Sequence, residues 1–189
     1  MDLNTKLSRY FYLHDLIPTD TGLSNIPSTQ SEISNLTKLA NTLDTLRDRI
    51  GNFSIISAFR SDAVNQAVGG VGTSYHRQGM AADIVPLSMS AKDYWGKVIA
   101  DPGIRNSLGE IALKNTALHI SLPSSTKVGV PMIVNEAGEY IKKSLDEALA
   151  FIGKNKVASI SFGIIAILAI MGGAYYYSRK RSTNESTKI

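Results

Sequence analysis

The sequence predicts an α+β fold: a small antiparallel sheet with helices packed around it, followed by one apolar helix near the C-terminus. Three observations lead there. The runs FSIISAF (53–59) and ALHISL (117–122) are short and apolar, and the first is rich in β-branched residues, as strands are. Residues 31–51 place Ile33, Leu36, Leu39, Leu43, Leu46 and Ile50 at helical spacing. Residues 157–177 carry no charge at all, and at about 1.5 Å per residue that length matches a hydrocarbon core of roughly 30 Å.

Taken in order, residues 1–29 form an irregular opening with one helical turn around Leu13 to Ile17, broken up by Pro18, Gly22 and Pro27. The helix over 31–51 has Ser31 to cap its start and Gly51 to close it. A strand follows at 53–59, then a short helix beginning near Ser61, then the loop GGVGTS. Tyr75–His76 and Ala81–Val85 read as two short strands joined at Gly79. Ser90 and Asp93 resemble a capping box, so SAKDYWGKVIA is a helix that Asp101-Pro-Gly ends. IRNSLGEIALK reads as a further helix and ALHISL as the last strand of a domain spanning 1–122.

Residues 123–131 read as a linker. Residues 132–156 show an apolar stripe from Ile133 through Tyr140, Ile141, Leu145 and Leu149 to Ile152, which predicts an amphipathic helical stalk. The uncharged run 157–177 is then the transmembrane helix. Tyr175, Tyr176 and Tyr177 stand where an aromatic belt belongs, and Arg179, Lys180 and Arg181 open a basic tail over 178–189. The basic residues on the two sides of the span nearly balance, so they leave its orientation open. No cleavable signal peptide is visible at the N-terminus.

Composition narrows the chemistry. With 189 residues and 43% apolar content the chain can bury one core of ordinary size and carry an appendage, which argues against wholesale disorder. The net charge of +4 comes from basic residues that are scattered outside the tail, so nucleic acid is not an expected partner. A mildly basic surface suits a polyanionic cell wall or an anionic membrane instead. There is no cysteine, which rules out disulfides and thiolate metal sites.

The stretch SYHRQGMAADIV (74–85) sets His76 seven positions before Asp83, with Gly79, Ala81 and Ala82 leaving room between them. An imidazole and a carboxylate suit Zn²⁺. His119, in ALHISL, is the available third donor, its ring turned away from the side chains of its neighbours Leu118 and Ile120. Three protein ligands with a fourth position open mark a catalytic zinc. Two core histidines hydrogen-bonded to the fold are the alternative.

The run S-Y-H-R-Q-G-M-A-A-D resembles the Ser-x-His-x-x-Gly-x-Ala-x-Asp motif of zinc D-alanyl-D-alanine carboxypeptidases and their peptidoglycan endopeptidase relatives in phage lysins. SAFRSDAVNQAVGG (57–70) and LHIS (118–121) resemble the flanking elements of that family, and the likeness spans about residues 5–122. It implies a hedgehog/D-Ala-D-Ala-peptidase fold, with His76, Asp83 and His119 as zinc ligands and Arg60 over the site. Arg60 would stabilise a developing oxyanion or hold a substrate carboxylate. Ser74 would hydrogen-bond substrate or shape the turn. The chain departs from the family at Thr116, where many members have an acidic residue three before the last histidine. Glu110 is the nearest acidic residue upstream and the candidate general base.

The resemblance and the apolar span together imply a membrane-anchored zinc peptidase that cleaves peptide bonds of bacterial peptidoglycan. Its partners would be wall stem peptides, a lipid membrane and other virion proteins. It would be phage-encoded, placed in a virion membrane or the host inner membrane, and active in infection or lysis. The alternative is a zinc-containing wall-binding or structural virion membrane protein that has lost catalysis.

Overall fold

The computed structural model describes residues 2–134 and 139–153. The chain divides into two units, Met1–Leu149 and Ala150–Ile189. Only residues 150–153 of the second are described, and they are helical. The transmembrane run expected at 157–177 and the basic tail lie outside the described residues. Among the described residues no helix is long and apolar enough to cross a membrane.

The first unit is α+β. Its elements are a 3-10 turn at Leu13–Leu16, α1 (Gln30–Arg49), β1 (Phe53–Ser57), α2 (Asp62–Ala67), a 3-10 turn at Tyr75–Gln78 and β2 (Ala81–Pro86). There follow α3 (Ala91–Ala100), the single turn α4 (Pro102–Arg105), β3 (Glu110–Leu113), β4 (Leu118–Ser121), β5 (Val130–Val134) and β6 (Tyr140–Lys142). Six strands form one sheet in the order β1-β2-β4-β3-β5-β6. All neighbours are antiparallel except β3 and β5, which run parallel.

Local chemistry accounts for the helices. Thr29 accepts from Glu32 N, and the Glu32 carboxylate accepts from Thr29 N at 2.9 Å, a reciprocal cap that starts α1 two residues before the expected Ser31. The Ser61 side chain caps α2 by accepting from Val64 N, and the Ser90 side chain caps α3 by accepting from Asp93 N. α1 buries Leu36, Leu39, Ala40, Leu43 and Leu46, while α3 packs on β2 and β3 with Tyr94, Trp95, Val98 and Ile99 fully buried. Burying one such side chain contributes about 1.5–3 kcal/mol.

Four sequence expectations give way. Residues 75–78 form a 3-10 turn, not a strand, because Ser74 accepts from His76 N and Gly79 closes the turn at φ 69°. The helix expected over 104–114 is limited to α4, and Glu110–Leu113 is a strand flanked on both sides in the sheet. Ile111, Ala112 and Leu113 are buried in succession and carry no alternation, so periodicity cannot tell strand from helix there. The expected linker at 123–131 contains a turn bridged by Ser124 and Lys127 and the first residues of β5. The stalk expected from 132 begins as β5 and β6, with helix only from 145. Parallel pairing of β5 with β3 is a non-local contact that the stripe at 133–141 does not encode.

Gly79 ties the His76 turn to α1. A Cβ there would lie 2.9 Å from Glu32 O and 3.0 Å from Leu36 Cγ, on a backbone already at positive φ. Gly79→Ala is expected to lose about 2–4 kcal/mol, strain and overpacking together. Chemical denaturation measures it, and an unchanged midpoint would show that the turn is loosely held.

Candidate metal centre

One row across the sheet builds the site. Ser57 on β1 pairs with Asp83 on β2, Asp83 with His119 on β4, His119 with Ala112 on β3, and Ala112 with Met132 on β5. These side chains therefore share one face. The register of β1 shifts between Ile55 and Ser57, which brings Ser57 opposite Asp83 and leaves Ile56 exposed. His76 arrives from the 3-10 turn. Its Nε2 lies 3.2 Å from His119 Nδ1 and 3.7 Å from Asp83 Oδ2, and His119 Nδ1 is 3.0 Å from Asp83 Oδ1. All three residues are buried.

These separations fit a metal. Bonds of about 2.0–2.1 Å in a tetrahedron set donor atoms about 3.3 Å apart. The three donor atoms lie within 4.8 Å of one another, the one such cluster among the described residues. Their outer contacts fit as well. His76 Nδ1 sits 2.6 Å from Ala58 O, and His119 Nε2 faces Glu110 Oε2 at 3.4 Å. A ligating imidazole commonly hands its second N–H to such a carbonyl or carboxylate, which leaves Nε2 of His76 and Nδ1 of His119 for the metal. A cavity of about 480 Å³ opens onto the three residues.

The second row of partners is cationic. Arg60 donates from Nε to Ser57 Oγ at 2.9 Å and from a terminal nitrogen to Asp83 Oδ2 at 3.2 Å. Lys114 Nζ reaches Asp83 Oδ1 at 3.0 Å, and Lys127 pairs with Glu110. The loop bearing Arg60 is fixed by the N-terminal segment. Phe59 N donates to Leu16 O, the buried Asn25 donates to Phe59 O and accepts from Ser61 N, and Arg60 N donates to His76 O.

Protonation follows from these contacts. Burial, reinforced by the nearby His119, pushes His76 down to about 3, so it is neutral at pH 7. His119 is also pressed toward neutrality by burial, yet hydrogen bonds to Asp83 and Glu110 outweigh that and hold its pKa above the ordinary value. Asp83 is held below the usual carboxylate range, its contacts with His119 overcoming the cost of burial. Glu110 falls to about 2, first through its hydrogen bond to His119, with Lys127 adding to it against burial.

A pH dependence follows. A proton on His119 stabilises the metal-free fold below the unfolded pKa of about 6.5, and this contribution fades as pH rises through the higher folded value. Zinc needs the ring unprotonated. The rise in melting temperature on adding zinc is therefore expected to grow as pH rises above about 6.5. A shift independent of pH would place the metal elsewhere.

The family model described as Peptidase M15 matches residues 13–98. The match supports an M15 zinc peptidase. No curated protein matches the chain. The matched segment holds Arg60, Ser74, His76 and Asp83 but ends before β3 and β4. Glu110 and His119 are brought to the M15-like half of the site by strand pairing, so the sheet completes independently what the family match begins.

Every site residue named from the sequence lines this cavity: Arg60, Ser74, His76, Asp83, Glu110 and His119. Ser74 Oγ accepts from His76 N at 3.3 Å, so its hydroxyl shapes the turn. Thr116 is exposed on the hairpin turn between β3 and β4. Sequence reading missed Ser57, Asn25, Lys114 and Lys127. Lys114, at the start of that hairpin, carried one available signal: it lies five residues before His119, across a turn.

Proposed function

We propose that the chain is a zinc peptidase that hydrolyses peptide bonds in bacterial peptidoglycan. The carrying observation is the convergence of His76, Asp83 and His119 at tetrahedral spacing on the wall of an open cavity, in a chain matched by the Peptidase M15 model. Zinc, when bound, supplies Lewis acidity at the scissile carbonyl. The chain's own groups do the rest. Ala58 O and Glu110 orient the two rings. Arg60, braced by Ser57, presents a fixed cation beside the donor set, where an oxyanion develops. Among the described residues Glu110 is the one carboxylate lining the cavity outside the donor set, and so the group left to accept a proton. We further propose, from the uncharged run 157–177, that the domain is anchored in a virion membrane or the host inner membrane and that its origin is phage.

A second reading has its own observation. Glu110 is held ionised, tied to His119 and Lys127, and Thr116 offers no base, which suits a domain that holds zinc and grips wall peptide without cutting. Incubating the zinc-loaded full-length chain with purified peptidoglycan separates the two. New amine ends that disappear with chelator establish the hydrolase; retention on the wall without new ends establishes the binder.

A further inference from the structure

A second cavity, of about 510 Å³, opens beside β1, the end strand of the sheet, and none of the three metal donors lines it. Ile56 of β1 and Val68, just past α2, line this hollow and are 54% and 49% exposed. The core uses neither side chain, yet the fold gathers both in one place beside the buried Val64. The register shift in β1 is what leaves Ile56 outside. β1 pairs with β2 alone, so its other edge carries backbone donors and acceptors that no strand among the described residues takes up.

The wall opposite β1 is fixed in place. Asn25 donates to Ile17 O at 3.2 Å and Phe59 N to Leu16 O at 2.8 Å, which holds the segment leading to Asp20. Asp20 is exposed, lines the hollow and has no hydrogen-bond or ion-pair partner among the described residues. Arg60 lines both this hollow and the metal cavity. Its guanidinium reaches Asp83 Oδ2 at 3.2 Å, so a chain lying beside β1 passes Arg60 and arrives at the metal donors. An extended peptide is the occupant that these features fit. It brings backbone groups to an unpaired edge and sets alternate side chains against the pockets along it. A second copy of this chain fits poorly, because a five-residue strand interrupted by a register shift is a poor template for pairing sheet to sheet.

Resting on the peptidase reading, we infer that the hollow beside β1 is a second peptide-binding site: it seats a further stretch of the peptide held at the metal centre, with an apolar side chain on Ile56 and Val68 and a basic one at Asp20. Affinity then depends on residues some way from the bond at the metal, and Arg60 marks the passage between the two cavities.

The test compares a short stem peptide with the same peptide lengthened, at one end or the other, by a few residues that include leucine and lysine. Each is titrated into the zinc-loaded full-length chain by calorimetry and offered for cleavage. One of the lengthened peptides is expected to bind at least about tenfold more tightly than the short one. Ile56→Ser and Val68→Ser, at exposed positions, should each weaken the lengthened peptide by about fivefold. Both should leave zinc content and the affinity of the short peptide as they were. Asp20→Asn should cost about threefold, and only while the extension carries lysine and not norleucine. Lengthened peptides that bind no better than the short one overturn the inference, as does a loss in the serine variants that strikes both lengths alike. Cleavage without any preference for length would remove the second site and leave the hydrolase reading. Preference without cleavage would remove the hydrolase reading and leave the site standing.

Discussion

Replacing His119 with alanine is expected to abolish both zinc retention and hydrolysis. His119 is the donor farthest in sequence from the other two and lies beyond the segment matched to the peptidase family. Removing it leaves one imidazole and one carboxylate, a poor site. The affinity loss should exceed the roughly hundredfold that changes in outer partners alone can reach. The fold should persist, because Asp83 keeps Arg60 and Lys114 and Glu110 keeps Lys127. Metal analysis after dialysis, read beside far-UV circular dichroism, checks both halves. An alanine variant that stays folded and holds zinc as before would show that the ion sits elsewhere.

Arg60→Ala is expected to behave in the opposite manner, keeping the metal and losing turnover. Arg60 touches the site through Asp83 Oδ2 and is held by Ser57 Oγ, while its side chain remains 18% exposed toward the cavity. A donor aimed at developing negative charge contributes about 10²–10³ in kcat. Zinc content should be unchanged and KM should move less than kcat. Arg60→Lys should recover only part, since an ammonium keeps the charge but not the fork. A variant whose kcat matches the parent would reduce Arg60 to a brace for Asp83.

The two variants differ because the site has two layers, and these were unequally legible in the sequence. The donor set could be read from residue types: His76 and Asp83 stand in a tight motif, and His119 in a strand-like run. α1, α2 and α3 were legible too, since capping residues and apolar spacing act within a few residues. β3 was not, because its three consecutive buried apolar residues, Ile111, Ala112 and Leu113, have no period to read. β5 and β6 were hidden behind a stripe that fits a helix, and their place depends on pairing with β3, a contact made by the whole fold. The same limit hid the cations. Lys114 and Lys127 look like solvated lysines until the β3–β4 hairpin and the following turn set them over Asp83 and Glu110. Ser57 became visible only through the register shift in β1.

X-ray absorption at the zinc edge of the zinc-loaded full-length chain tests the central claim most directly. The expected spectrum is one ion per chain, with two imidazoles and one carboxylate at about 2.0–2.1 Å and a coordination number of about four. Substoichiometric zinc, or a first shell with fewer than two imidazoles, would contradict the metal centre and the peptidase built on it.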